Sequence, residues 1–315
     1  MADTAAGVRR WQLLVAVPAA VLGISVAWRL AGAGNTESSS ILRVLADGLG
    51  AAVLGLAALR RLEPKPRKLA AQQALWRDVA VLASVWVVAE LLLLFFTAAD
   101  VANTSPARLG GAGLERFLVE VTAGRVGMAV IACTLFVVWF AAIGYRRPAP
   151  LAPDAAIAVA ALALVFRPIT GHMSTQTLGP VFGAVHALAA AVWFGLLVAM
   201  AIELRSRGEW AATLPRYSQV ALWCVAVLTV SGVVNSAVRL DRLGAFFDTG
   251  YGRIVVAKLV VLCGLIALGW WWRRTWVGAA ANHRATADDS LRRAIIEVAA
   301  MAVAFGLAGA LATTA

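Results

Sequence analysis

His172 and His186 lie fourteen residues apart, and Met173 directly follows the first of them. Neutral imidazole is a good donor to copper and zinc, whereas a thioether is soft and favours copper(I). The stretch reads Arg167-Pro168-Ile169-Thr170-Gly171-His172-Met173, then a polar linker, then Gly179-Pro180 and an apolar run through Ala201 broken by His186. Proline in a first helical turn fits a helix start, which sets His186 about two turns inside at about 1.5 Å rise per residue. The spacing predicts a His-Met dipeptide on a connection that folds back over a histidine of the adjacent helix. Three donors of suitable softness then meet near one membrane face, although no close-set His-x-x-x-His or Cys-x-x-Cys reinforces them.

The elements that must position these donors are membrane helices. Hydrophobic residues make up 61% of the 315-residue chain and charged residues only 14%, which excludes an ordinary soluble domain. A bilayer is crossed by about twenty apolar residues in a helix. Nine segments meet that test, at about 11–31, 41–60, 79–98, 118–144, 153–168, 179–202, 217–238, 252–272 and 292–313, the fifth being the shortest. Alanine, leucine and valine dominate without a ten-residue alternation, so the expected fold is an all-α polytopic bundle and not a barrel. Arg9 and Arg10 precede a first span that lacks a clean small-x-small cleavage motif, so that span is expected to be retained; cleavage would leave eight.

The net charge of +11 does not point to nucleic acid, because the basic residues gather in alternate connections. Arg60, Arg61, Lys65, Arg67 and Lys68 follow the second span, Arg146 and Arg147 the fourth, Arg205 and Arg207 the sixth, and Arg273 and Arg274 the eighth. That pattern places these connections in the cytoplasm, with the amino terminus in, the carboxyl terminus out and the 167–180 linker outside. Cys133, Cys224 and Cys263 all fall inside expected spans without short spacing, and read as small core residues with no disulfide framework.

Charged groups at membrane depth need a partner or a pathway. Arg43 and Asp47 are one turn apart in the second span, Glu90 lies beyond the middle of the third, and Glu120 and Arg125 open the fourth. Ser231 and Asn235 share one face at i and i+4 in the seventh, and Lys258 sits almost two turns into the eighth. Two readings stand side by side: these groups line one extracytoplasmic cavity with the histidines, or they form structural ion pairs between helices. Glu90 is too deep to reach the interface and requires a basic neighbour or a proton.

Several motifs occur in family order: Gly171-His172; His186 followed by Ala190-Ala191-Val192-Trp193-Phe194-Gly195; Arg216-Tyr217-Ser218 leading to Val230-Ser231-Gly232-Val233-Val234-Asn235; Thr249-Gly250-Tyr251-Gly252-Arg253 with Lys258; and Leu291-Arg292-Arg293 with Glu297. On these residues the chain resembles the bacterial CopD copper resistance and copper uptake membrane proteins, closely over about 165–315 and loosely before. The resemblance implies copper handling at the cytoplasmic (inner) membrane, with copper moving inward from the extracytoplasmic side. It carries His172 and His186 over as metal residues and marks Trp193, Asn235, Tyr251 and Lys258 as motif positions. It suggests a division into an N-terminal half, 1–150, with four spans, and a CopD-like domain, 151–315, with five. The nine expected spans exceed the family's eight, and the five methionines include none of the Met-rich loops of some copper importers.

Copper(I) received at His172, Met173 and His186 is therefore the first expectation, supplied by a gradient or an extracytoplasmic copper chaperone, since no Walker A sequence points to ATP. A haem- or quinone-binding electron-transfer protein is the second, although bis-histidine haem calls for two opposed helical ligands. A membrane scaffold or assembly partner of a larger complex is the third, with Trp270, Trp271 and Trp272 beside Arg273 and Arg274 as interfacial anchors. An enzyme is not expected: no Ser-His-Asp order or nucleophile elbow occurs, and His283 reads as a loop residue.

Overall fold

A computed structural model describes residues 10–32, 39–64, 68–170, 179–239 and 244–311. Its elements are α1 (Ala16–Ala31, entered through a 3-10 turn at Trp11–Val15), α2 (Ser39–Leu59), α3 (Leu69–Val101), α4 (Gly111–Glu120), α5 (Thr122–Arg146) and α6 (Asp154–Thr170). They continue with α7 (Gly179–Glu203), α8 (Arg207–Arg239), α9 (Ala245–Asp248), α10 (Gly250–Trp272), α11 (Gly278–Ala281) and α12 (Ala287–Leu311). No strand occurs among the described residues, so the all-α expectation holds. His172 and Met173 lie outside the described residues.

Among the described residues, eight stretches are long and apolar enough to cross a membrane: Trp11–Ala31, α2, α3, α5, α7, Arg207–Ala237 of α8, Gly250–Ala281 and α12. The expected fifth span is also a helix, α6, but at 17 residues it is the shortest of the nine. It runs antiparallel to α2. Asp154 at its start pairs with Arg61 just past the end of α2, Leu164 packs on Gly50, and Arg167 near its other end points to Asp47. Three residues of α6 follow Arg167, whereas eight residues of α2 precede Asp47. At about 1.5 Å per residue, α6 therefore reaches about 7 Å less far than α2 at that end of the bundle over the described residues. The expected fourth span starts later than its apolarity suggests. The chain breaks at Val121, whose backbone is extended, so Glu120 ends the separate helix α4 and does not open a span.

α2 is the hub, packed against α3, α6, α7 and α12. Its Ala51–Ala57 stretch is entirely buried, as is Trp193–Ala201 of α7. Small residues explain the closeness: lipid offers helices no hydrophobic drive to associate, so contact area between backbones must supply it. A Cβ added at Gly195 would meet the Ala51 carbonyl, and one at Gly55 would meet the Gly195 backbone. Gly23 of α1 and Gly306 of α12 make a second such crossing.

Arginines tie the connections together at the basic end of the bundle. Arg60 donates to the Leu151 carbonyl (2.7 Å), Arg216 to Leu62 (3.0 Å) and Arg10 to Leu204 (3.3 Å). Trp270 and Trp271 are exposed, with the Arg274 guanidinium 4.0 Å above the Trp270 ring, whereas Trp272 is buried against Trp276. The cysteines divide as well. Only Cys224 is buried, Cys133 is half-buried and Cys263 is exposed, so the core-residue expectation is correct for one of three.

The crossing of α2 and α7 leaves no room for a methyl group. Gly195→Ala should lower unfolding stability by about 1–3 kcal/mol, the usual cost of overpacking. Gly264→Ala, where an added Cβ meets nothing within 4 Å, should leave it unchanged or raise it. Thermal melts of the purified variants in detergent, followed by circular dichroism, make the comparison.

Candidate functional site

Two polar clusters occupy the end of the bundle that holds the start of α7. The first joins α2, α3 and α6. Glu90, only 1% exposed, takes a two-pronged contact from Arg167: Nη1 donates to Oε1 at 3.1 Å and Nη2 donates to Oε2. The Trp86 indole N–H donates to the same Oε1 at 2.9 Å. Asp47, one-third exposed, stands 4.0 Å from Nη1 of Arg167, and Arg43 one turn away on α2 adds a second positive charge. Glu90 thus has the basic neighbour its depth requires, and a bidentate guanidinium is the geometry best suited to holding a buried carboxylate.

The second cluster joins α7, α8 and α10. His186 is half-buried, and its Nδ1 lies 2.8 Å from Oγ of Ser231 on α8. That hydroxyl has one proton, which it donates to the Val227 carbonyl at 2.6 Å. Nδ1 must therefore carry the imidazole proton and donate it to Oγ. The neutral ring then presents the Nε2 lone pair, the arrangement by which a hydrogen bond on one nitrogen orients the other toward a metal. Lys258 on α10 is within electrostatic reach of the ring, although α8 and α10 share no substantial packing. Asn235, one turn beyond Ser231, has a buried Oδ1 without a hydrogen-bond partner.

The clusters meet at one level, because Gly183, three residues before His186, packs on Pro168, the residue after Arg167. The structure thus brings Asp47 together with Glu90, and His186 together with Ser231 and Lys258. Glu120 and Arg125 are exposed on α4 and α5. Tyr251 is half-buried in the first turn of α10. Among the described residues no three His, Cys, Asp or Glu side chains converge on a metal-sized space, and His186 is the one described member of the His172, Met173 and His186 set. Sequence reasoning missed the role of Arg167, which reads as a flank of the linker, although an arginine so close to an apolar run is itself a sign of a buried partner.

Arg167→Ala would strand the Glu90 carboxylate in the core. Breaking a buried pair from one side costs about 3–5 kcal/mol, and adding Glu90→Gln should recover a large part of it. A double-mutant cycle on thermal stability in detergent measures both; equal stability of Arg167→Ala and the intact protein would contradict the pairing.

Two family descriptions match the chain: the copper resistance protein D-like N-terminal domain over residues 37–180 and copper resistance protein D over 211–311. A similar relative is the copper transport protein CutJ of Bacillus subtilis (strain 168), 26% identical over 117 residues, which are 34% of this chain and 21% of that relative. The chain thus matches about a fifth of the relative's length. No solved structure matches. With both models matched in order on a multi-pass helical bundle, the chain belongs to the copper resistance protein D family.

Proposed function

We propose that the protein receives copper(I) on the extracytoplasmic side of the cytoplasmic membrane and passes it inward through the α7–α8 region. The observation that carries this reading is the Ser231 contact with Nδ1 of His186, which leaves Nε2 as a neutral donor. His172 and Met173 complete the ligand set in this proposal, as the imidazole and thioether donors suited to a soft monovalent ion. Membership of a copper resistance family supports copper as the cargo, and the arginine-tied connections support the cytoplasmic assignment of that end. The protein acts as a carrier and not as a catalyst, with an extracytoplasmic chaperone as its donor. Asp47, Glu90 and Arg167 serve as the structural clamp that positions the receiving helix.

Anaerobic titration of purified protein with copper(I) against a chromophoric chelator tests the site. His186→Ala should abolish binding at the receiving site. Ser231→Ala, which only frees the imidazole to rotate and change tautomer, should weaken it about 10–100-fold, as loss of such an orienting group does elsewhere. Unchanged affinity in both variants, or a Soret band in the protein as purified, would overturn the assignment.

A further inference from the structure

α5 turns one stripe away from the rest of the bundle. Met128, Leu135 and Trp139 are exposed along it, and Arg146 continues it, because the eighteen residues from Met128 to Arg146 are about five helical turns. The opposite face is the one that packs. Val137 and Ala141 there are fully buried, and Gly144 lies against the Trp76 ring of α3. The outward stripe is apolar for most of its length and carries a charge only at its end.

That end is notched. Trp139, Ala142, Ile143 and Arg146 fall at i, i+3, i+4 and i+7 and share one face, and the small Ala142 leaves a gap between the two large side chains. With Arg147 and Pro148 they line a space of about 330 Å³. The helix stops here because the residue before a proline avoids the helical region: Arg147 is extended, at φ −72° and ψ 137°. Its carbonyl accepts a hydrogen bond from Nε2 of Gln73 on α3 at 2.9 Å, so the second guanidinium springs from a fixed point. Other arginines at this end have protein partners, Arg60 and Arg216 in carbonyls and Arg61 in Asp154. Among the described residues no carboxylate stands within ion-pair distance of Arg146 or Arg147. Two adjacent guanidiniums repel each other, and an anion between them reverses that cost. Their planar donor forks match the oxygens of a phosphate.

We propose that Trp139, Arg146 and Arg147 form a binding site for the headgroup of an anionic phospholipid, entered sideways from the bilayer. The two guanidiniums hold the phosphate, and the first acyl carbons lie over Ala142 and Ile143 against the indole. Trp139, 58% exposed, is about two turns deeper than Arg146. An amphipathic ring is favoured at that level, where acyl chains meet headgroups. A free phosphate shares the charge chemistry but has nothing to place in the apolar half of the notch. The site lies at the basic end of the bundle, away from His186, and does not depend on copper.

The test uses the full chain, stripped of lipid in a neutral detergent and titrated with phosphatidylglycerol, phosphatidylcholine or inorganic phosphate. Bound molecules are counted by native mass spectrometry, and circular dichroism melts check that each variant is folded. Phosphatidylglycerol should stay bound where phosphatidylcholine does not. Arg146→Gln and Arg147→Gln together should weaken it about thirtyfold, from about fivefold for each basic group at an anionic lipid surface. Trp139→Ala should weaken the lipid and leave any binding of inorganic phosphate unchanged. Arg205→Gln with Arg284→Gln removes the same charge from exposed positions at the same end and should change nothing. An equal loss in that control pair means general attraction to charge and overturns the site. Undiminished binding after Arg146→Gln and Arg147→Gln overturns it too, as does equal retention of the two lipids. Full displacement of the lipid by inorganic phosphate at equal concentration overturns the lipid assignment in favour of a soluble anion.

Discussion

The Glu90 carboxylate in the grip of the Arg167 guanidinium is the contact on which the rest of the arrangement depends. An ion pair at this depth has no solvent to fall back on, so the two groups fix the helices that carry them. Arg167 belongs to α6, and holding it against α3 sets the position of Pro168, which in turn supports Gly183 near the start of α7. His186 is less than one turn further on. Its bond to Ser231 then couples α7 to α8. The orientation of one imidazole is thus inherited through three helices from a charge pair that does not itself touch the ring.

Close backbone packing is the complementary constraint. α2 brings glycine to its crossing with α7, and α1 and α12 do the same on the other flank. Such contacts gain by dispersion what lipid-exposed helices cannot gain by hydrophobic association. The exposed leucines, valines and Trp223 along α3, α8 and α10 fit a surface solvated by acyl chains. The same bundle therefore has a rigid interior of small residues and an apolar exterior, with polar chemistry confined to the seams between helices.

The helical architecture was legible because apolar length alone identifies membrane helices, and each of the nine expected segments is mostly helical over its described residues. What composition could not convey was where a helix breaks inside a continuous apolar stretch, as at Val121, or which of two buried carboxylates has a cation. Glu90 and Glu297 look alike as isolated acidic residues in apolar runs. They differ only because α6 delivers Arg167 to one and no described element delivers a base to the other. The serine beneath His186 was visible as a polar position on α8, but pairing it with α7 required knowledge of how two helices 45 residues apart in the chain are set side by side. Cys263 shows the same limit, since a thiol within an apolar run reads as interior whichever way it faces.

The two-pronged grip of Arg167 on Glu90 has an electrical consequence. The pair carries no net charge, so a voltage across the membrane exerts no net force on it, whereas a lone charge carried across the full drop would feel about 2.3 kcal/mol per 100 mV. The clamp between α3 and α6 therefore keeps its geometry whatever the membrane potential.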